Sequence, residues 1–328
     1  MFTGWIYPFK LNRPLDVAEA SMHLSYGVPQ PFEPDDAIGM TRFNSTFVEF
    51  VNRSFNMKGM GLTLVTALAS LGFLAFYVFI FIDYLSANES WVEISIYLIL
   101  LAVVFVGAPV LFWRVYLGKD IFTYTCYPVR FNRKTQQVYF FVHNGPGGVV
   151  TAPWGDSDVF FHIGLGTRDK DLRDLRCHLL KKGQVVQTFT VGHYGRHENH
   201  VREEWELIRR YMEEGPEKAF DNEQDRVITL SPRGTWLNCY MSVCQALGTN
   251  LYAIRYVLFP IYGLLTLSRW LTFKSCRAPV WPPEVEASCA IEPNDPYLLP
   301  EPEFMAEFTD DAGYQRSAER HRQRQGWK

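Results

Sequence analysis

Basic charge is in short supply: 32 Lys and Arg against 35 Asp and Glu leave a net charge of −3. No basic field and no aromatic-interleaved basic stripe is available to a nucleic-acid partner, and that class is excluded. Cysteine pairs are missing too. Cys126, Cys177, Cys239, Cys244, Cys276 and Cys289 stand apart without a CxxC, which excludes paired-thiol zinc motifs and points to reduced, structural thiols. The opening MFTGWIYPFKLNRPLD has no apolar core of signal-peptide length before charge and proline interrupt it.

Catalytic signatures are equally thin. There is no GxSxG elbow and no HExxH; Gly145 to Gly148 is not followed by Lys-Ser/Thr, and Gly164-Leu165-Gly166 lacks the remainder of a dinucleotide fingerprint. Asp156 and Asp158 read as the start of a strand rather than an acid–base pair. Neither an enzyme nor a catalytic residue nor a cofactor is expected. The residues closest to a metal set are His193, His197 and His200, with Glu198 and Glu203 nearby. Neutral imidazoles suit zinc, but this spacing matches no established zinc pattern, so no metal is assigned.

Charge is wholly absent from two long runs, Gly61 to Ile82 and Ser95 to Trp113. Each approaches or reaches the roughly 20 apolar residues that a helix needs to cross a bilayer core. The short connection returns the chain to its starting side, making a hairpin. Arg42, Arg53 and Lys58 precede the first run and Arg114 and Lys119 follow the second, while the loop carries only acidic charge, Asp83, Glu89 and Glu93. Since Lys and Arg are retained on the cytoplasmic side, a two-pass membrane protein is expected, with both termini in the cytoplasm. The first helix then serves as its own uncleaved insertion signal. No ionisable residue lies inside either run, which argues against a proton relay or substrate path.

Before the hairpin, Phe43, Phe47, Phe50, Val51 and Phe55 recur at spacings that fit an amphipathic helix over 42–58, either interfacial or packed on the soluble domain. Beyond it the period falls to two. Alternating stretches at 122–126, 137–142, 149–151, 158–163, 176–180 and 185–191 predict strands, the last two joined by a hairpin turn at Lys181 to Gln184. An amphipathic helix follows over 197–214, with Val201, Trp205, Ile208 and Met212 on one face and Gly215-Pro216 as its stop. A third apolar stretch, Leu251 to Phe273, has a charge-free core bracketed by Arg255 and Arg269 and interrupted by Pro260, too short to span. An in-plane or re-entrant segment and a helix buried in the soluble domain are the two readings.

The fold class expected is therefore an α+β membrane protein: a transmembrane hairpin plus a small antiparallel β domain, a partly open barrel capped by the amphipathic helix. Its divisions are 1–58, an N-terminal cytosolic segment; 59–115, the hairpin; 116–216, the β domain; 217–278, a linker with apolar helices; and 279–328, a Pro-rich acidic then basic tail expected to be extended. Arg53, Lys58, Arg114, Arg255, Arg269 and Trp270 are the expected contacts with membrane lipid. Glu284, Glu286, Glu292, Asp295, Glu301 and Glu303 are the expected contacts with a basic protein partner.

Strand order and size over 121–214 resemble a pleckstrin-homology-like domain. The run Pro128 to Thr135, then Gln137 to Phe140, Val150 to Trp154 and Asp156, resembles the signature of an uncharacterised family of proteobacterial inner-membrane proteins found near type VI secretion genes. That resemblance implies a non-enzymatic, protein-binding role: an immunity protein against an antibacterial effector, with a secretion adaptor or a lipid-interacting assembly factor as alternatives. It supplies no catalytic residue.

Overall fold

A computed structural model describes residues 8–86, 91–166, 169, 171–247, 254, 256–305 and 319. The chain forms two units, each assembled from separated stretches. One, the β unit, takes 1–56, 124–241 and 278–328; the other, the hairpin unit, takes 57–123 and 242–277.

Among the described residues the β unit holds two antiparallel sheets and no closed barrel. Strands β1 (Arg13–Pro14), β2 (Met40–Phe43), β3 (Phe47–Phe50), β4 (Val129–Asn132), β5 (Gln137–Phe141), β6 (Val149–Pro153), β7 (Val159–Leu165), β8 (Arg173–Lys181) and β9 (Gln184–Gly195) divide into a five-stranded sheet, β2-β3-β4-β5-β6, and a four-stranded sheet, β1-β9-β8-β7. The β8–β9 turn has positive φ at both Lys182 and Gly183, 53° and 73°. Two left-handed central residues match the right-handed twist of the flanking strands.

Alternation sets what each sheet buries. Phe50, Phe131, Val138 and Phe140 of the larger sheet meet Phe161, Leu175, Cys177, Phe189 and Val191 of the smaller one in a single core. The helix Glu198–Glu213 adds Val201, Trp205, Ile208 and Met212 to it. Trp205 stacks on Trp154 at a centroid separation of 5.4 Å and meets Phe161 at 5.0 Å. Burying each such side chain contributes about 1.5–3 kcal/mol.

The outer surfaces are covered by the two ends of the chain. Residues 27–36 run over the far side of the Glu198–Glu213 helix, where the amides of Gly27 and Gln30 donate to Glu213 and Glu206, each at 2.9 Å. Trp281, Val285 and Cys289 cover Phe47, Tyr139 and Phe141 on the outer face of the five-stranded sheet.

Three stretches differ from the sequence expectation. The interfacial helix over 42–58 is instead the β2–β3 hairpin followed by the short helix Ser54–Met57. Spacings of three and four between Phe43, Phe47 and Phe50 fit a helix, but Asn44 breaks it: its side-chain oxygen accepts from the amides of Thr46 and Phe47, at 2.8 and 2.9 Å, and closes a turn. The strand expected over 122–126 is irregular and pairing begins at Val129. The tail expected to be extended is folded as far as it is described, with a helix at Pro283–Ser288; its end beyond 305, Glu319 aside, lies outside the described residues.

In the hairpin unit, two helices are long and apolar enough to cross a membrane, Gly61–Leu85 and Ser95–Asp120, and little of either is buried. At their base, Asp120 accepts from the Gly59 amide at 3.0 Å and from the Thr63 hydroxyl at 2.5 Å. Lys58 donates to the Asp120 carbonyl at 2.7 Å, and Arg269 donates to the Lys58 carbonyl at 2.8 Å. Gly59, at φ +72°, lets the helix Phe259–Ser275 approach: a Cβ there would meet the Cα of Arg269 at 2.8 Å.

Candidate functional site

The same alternation that sends Phe161, Ile163, Leu175 and Cys177 into the core places Phe160, His162, Arg176 and His178 on the opposite face of the four-stranded sheet. Register pairs Phe160 with His178 and His162 with Arg176, so the two histidines are diagonal neighbours, with ring centroids 4.4 Å apart. The N-terminal segment lies over them. Its helix Val17–Ser21 brings Glu19 to His178, with Oε1 3.3 Å from Nε2, while Arg13 grips both oxygens of the same carboxylate at 2.7 and 2.5 Å.

Each ring is fixed from its other nitrogen. Nδ1 of His178 is 2.8 Å from the Thr188 hydroxyl, and Nδ1 of His162 is 3.2 Å from the Ile163 carbonyl. Both rings are almost wholly buried. Burial, reinforced by His178 and Arg176, pushes His162 down to about 3, so this imidazole is neutral at physiological pH. For Glu19, burial acts upward but is outweighed by hydrogen bonds from His178 and Arg13, which hold the carboxyl well below the usual range. Two imidazoles and one carboxylate thus converge, their ligand atoms all within 4.8 Å of one another. Beside them Asp174 is held between Arg53 and Arg176, its Oδ1 2.6 Å from the Arg176 Nε.

A second polar cluster is acidic. Asp35 and Glu204 are buried, Asp36 is half-buried beside them with its Oδ2 enclosed, and neither oxygen of Glu204 has a hydrogen-bond partner among the described residues. Burial first, then the neighbouring carboxylates, raises both Asp36 and Glu204. The native state therefore keeps protons that the unfolded chain releases. The resulting stability is complete below the unfolded carboxylate range, near pH 4, and is lost as pH rises toward the native values, at about 1.4 kcal/mol per pH unit for each proton held. Glu204→Gln removes one such proton. Urea unfolding at pH 5 and pH 8 should show a shallower loss of stability in the variant, which is the more stable protein at pH 8.

The histidines singled out in the sequence are not brought together. His193 is buried with its ring 6.3 Å from that of Phe55, His197 is the N-cap of the Glu198–Glu213 helix, and His200 turns Nδ1 back onto the His197 carbonyl. Glu19, His162 and His178 are the group whose ligand atoms converge among the described residues. Two out-facing histidines on adjacent expected strands were the signal available in the sequence; nothing local marked Glu19.

Of the acidic residues expected to meet a partner, four bind within the chain. Glu286 pairs with Arg130 at 3.3 Å and Glu301 with Arg42 at 2.6 Å; Glu292 pairs with Lys134, and Asp295 accepts from the Ser45 amide at 2.8 Å. Glu284 and Glu303 are exposed. Among the expected lipid contacts, Arg114 is exposed, Trp270 is half-buried beneath Lys274, Lys58 and Arg269 are buried, Arg53 pairs with Asp174, and Arg255 lies outside the described residues.

A family model described as "Family of unknown function (DUF6708)" matches residues 108–293, more than half of the chain. The chain belongs to DUF6708. No curated protein and no solved structure matches it. The DUF6708 match takes in β4 to β9, the Glu198–Glu213 helix and the Trp281 cover. His162 and His178 fall inside the DUF6708 span and Glu19 before it.

Proposed function

We propose that the protein is a two-pass protein of a bacterial inner membrane, both termini cytoplasmic, which binds another protein without catalysing a reaction. In this reading it is the immunity partner of an antibacterial effector delivered by type VI secretion and acts by occluding that effector. The observation that carries the membrane half is the outward apolar surface of the hairpin unit. Beyond the two long helices, Phe259–Ser275 turns Phe259, Ile261, Leu264 and Leu271 outward, 45–58% exposed, and buries Tyr262, Thr266, Arg269 and Phe273. A helix that hides its arginine and exposes its leucines suits lipid. Orientation rests on the basic residues flanking the hairpin.

The protein-binding half is supported by the likeness of residues 128–156 to membrane proteins encoded near secretion genes. Exposed Glu284 and Glu303 are the acidic residues left for a basic partner to approach. Two experiments test the reading. A phosphatase reporter fused after Trp113 should be inactive, and one placed in the loop after Ser86 active; the reverse pattern overturns the orientation. Deleting the gene should cause self-intoxication that disappears when the neighbouring effector gene is also removed. Loss of effector export without toxicity would overturn immunity in favour of an adaptor.

A further inference from the structure

We propose that Glu19, His162 and His178 form a binding site for one divalent transition-metal ion, with zinc the ion that the two-nitrogen, one-oxygen donor set fits best. This goes beyond the role proposed above and does not depend on it.

Geometry is the first argument. Zinc bonds of about 2.0–2.2 Å to nitrogen and oxygen place neighbouring ligand atoms of a tetrahedron about 3.3–3.5 Å apart. Nε2 of His178 and Oε1 of Glu19 are already separated by 3.3 Å, and all three ligand atoms lie within 4.8 Å of one another. Small rotations of the Glu19 and His162 side chains close the remaining distance.

The second argument is the tautomer. A carbonyl oxygen can only accept, so the contact between Nδ1 of His162 and the Ile163 carbonyl, at 3.2 Å, places the proton on Nδ1 and leaves a lone pair on Nε2. His162 has no exposed surface, and its Nε2 has no hydrogen-bond partner among the described residues. A buried acceptor facing another imidazole and a carboxylate, neither of which offers it a proton, is costly as protein but correct as a ligand. His178 is held from its outer nitrogen as well, with Nδ1 2.8 Å from the Thr188 hydroxyl; with the ion bound, the Nε2 proton that Glu19 accepts sits on Nδ1 instead and is donated to that hydroxyl. Metal-binding histidines are held from their outer nitrogen in this manner.

Charge is the third. The two oxygens of Glu19, salt-bridged to Arg13, together offer more lone pairs than the arginine occupies, so Arg13 orients the carboxylate without excluding a cation. Three protein ligands leave a fourth position for water. The ion ties the helix Val17–Ser21 to β7 and β8, holding the N-terminal cover on the sheet.

The test uses the full chain in detergent micelles, loaded with zinc chloride, dialysed against metal-free buffer and assayed for zinc, with cobalt chloride as the spectroscopic probe. One zinc per chain is expected. Affinity should fall about 10- to 100-fold in Glu19→Gln and by at least as much in His162→Gln and His178→Gln, while His193→Gln and His197→Gln keep it. Substoichiometric zinc in the unsubstituted chain, or unchanged affinity in His162→Gln, overturns the site. Should the histidine variants lose their near-ultraviolet circular dichroism, the cobalt form of the unsubstituted chain decides. A tetrahedral spectrum without sulfur charge transfer supports the site, and a thiolate band or an octahedral spectrum overturns it.

Discussion

Arg130→Ala is expected to lower stability by about 3–5 kcal/mol, the cost of leaving a buried charge without its counter-charge. The Arg130 side chain is fully buried in β4, where its Nε donates to Glu49 at 2.8 Å and its guanidinium lies 4.1 Å from the centre of the Phe47 ring and 4.7 Å from that of Trp281. The Trp281 indole donates to the same Glu49 oxygen at 3.0 Å, and Glu286 reaches Arg130 from the following helix. Removing the guanidinium strands Glu49 and takes away the cation between two rings. Urea unfolding followed by tryptophan fluorescence measures the loss. Limited proteolysis should cut the variant within 278–291, a stretch that the unsubstituted protein protects. The double variant Arg130→Met, Glu49→Gln should recover most of the stability, because it removes both charges together. Equal losses in the single and double variants would mean that packing, not charge, governs this face.

Gly192→Ala is the second large effect. Gly192 has φ +60°, a backbone conformation that costs an L residue about 1–2 kcal/mol. Its amide donates to the Val51 carbonyl at 2.7 Å, which holds the backbone in place, and an added Cβ would fall on the buried Glu204 carboxylate. Overpacking of that kind adds about 1–3 kcal/mol. The sum, about 2–5 kcal/mol, should appear as a lower unfolding midpoint. Because the clash belongs to one pair, Glu204→Ala should cost less in the Gly192→Ala background than alone. Strict additivity of the two would remove Glu204 from the explanation.

These two sites show where the sequence speaks and where it does not. The hairpin was legible because no charge interrupts 61–82, and β5, β7, β8 and β9 because their alternation is local. Helix Glu198–Glu213 was legible for its one apolar stripe, but not for its other faces. Glu204, Glu206 and Arg209 look solvent-facing in the sequence, yet are buried, since a segment from the far N-terminus lies across them. Strands β2 and β3 were hidden for a related reason. Val48 finds its partner, Phe131, only across the intervening hairpin, and phenylalanine spacing alone fits either period. His162 and His178 were visible as out-facing residues; Glu19 was not, because it comes from 159 positions before His178. The acidic stretch was read as a surface for others because its cations, Arg42, Arg130 and Lys134, lie far away in the chain.

The same discontinuity governs the order in which the molecule can be made. β3 leaves the ribosome before the hairpin and β4 after it, so the central pairing of the five-stranded sheet waits until both apolar helices have been synthesised. The guanidinium of Arg130 waits longer, for Trp281 and Glu286 near the end of the chain. Synthesis of both apolar helices therefore precedes closure of the β unit, and a chain stalled or cut before residue 281 carries Phe47, Tyr139 and Phe141 uncovered, a set of aromatic side chains available to chaperones and proteases.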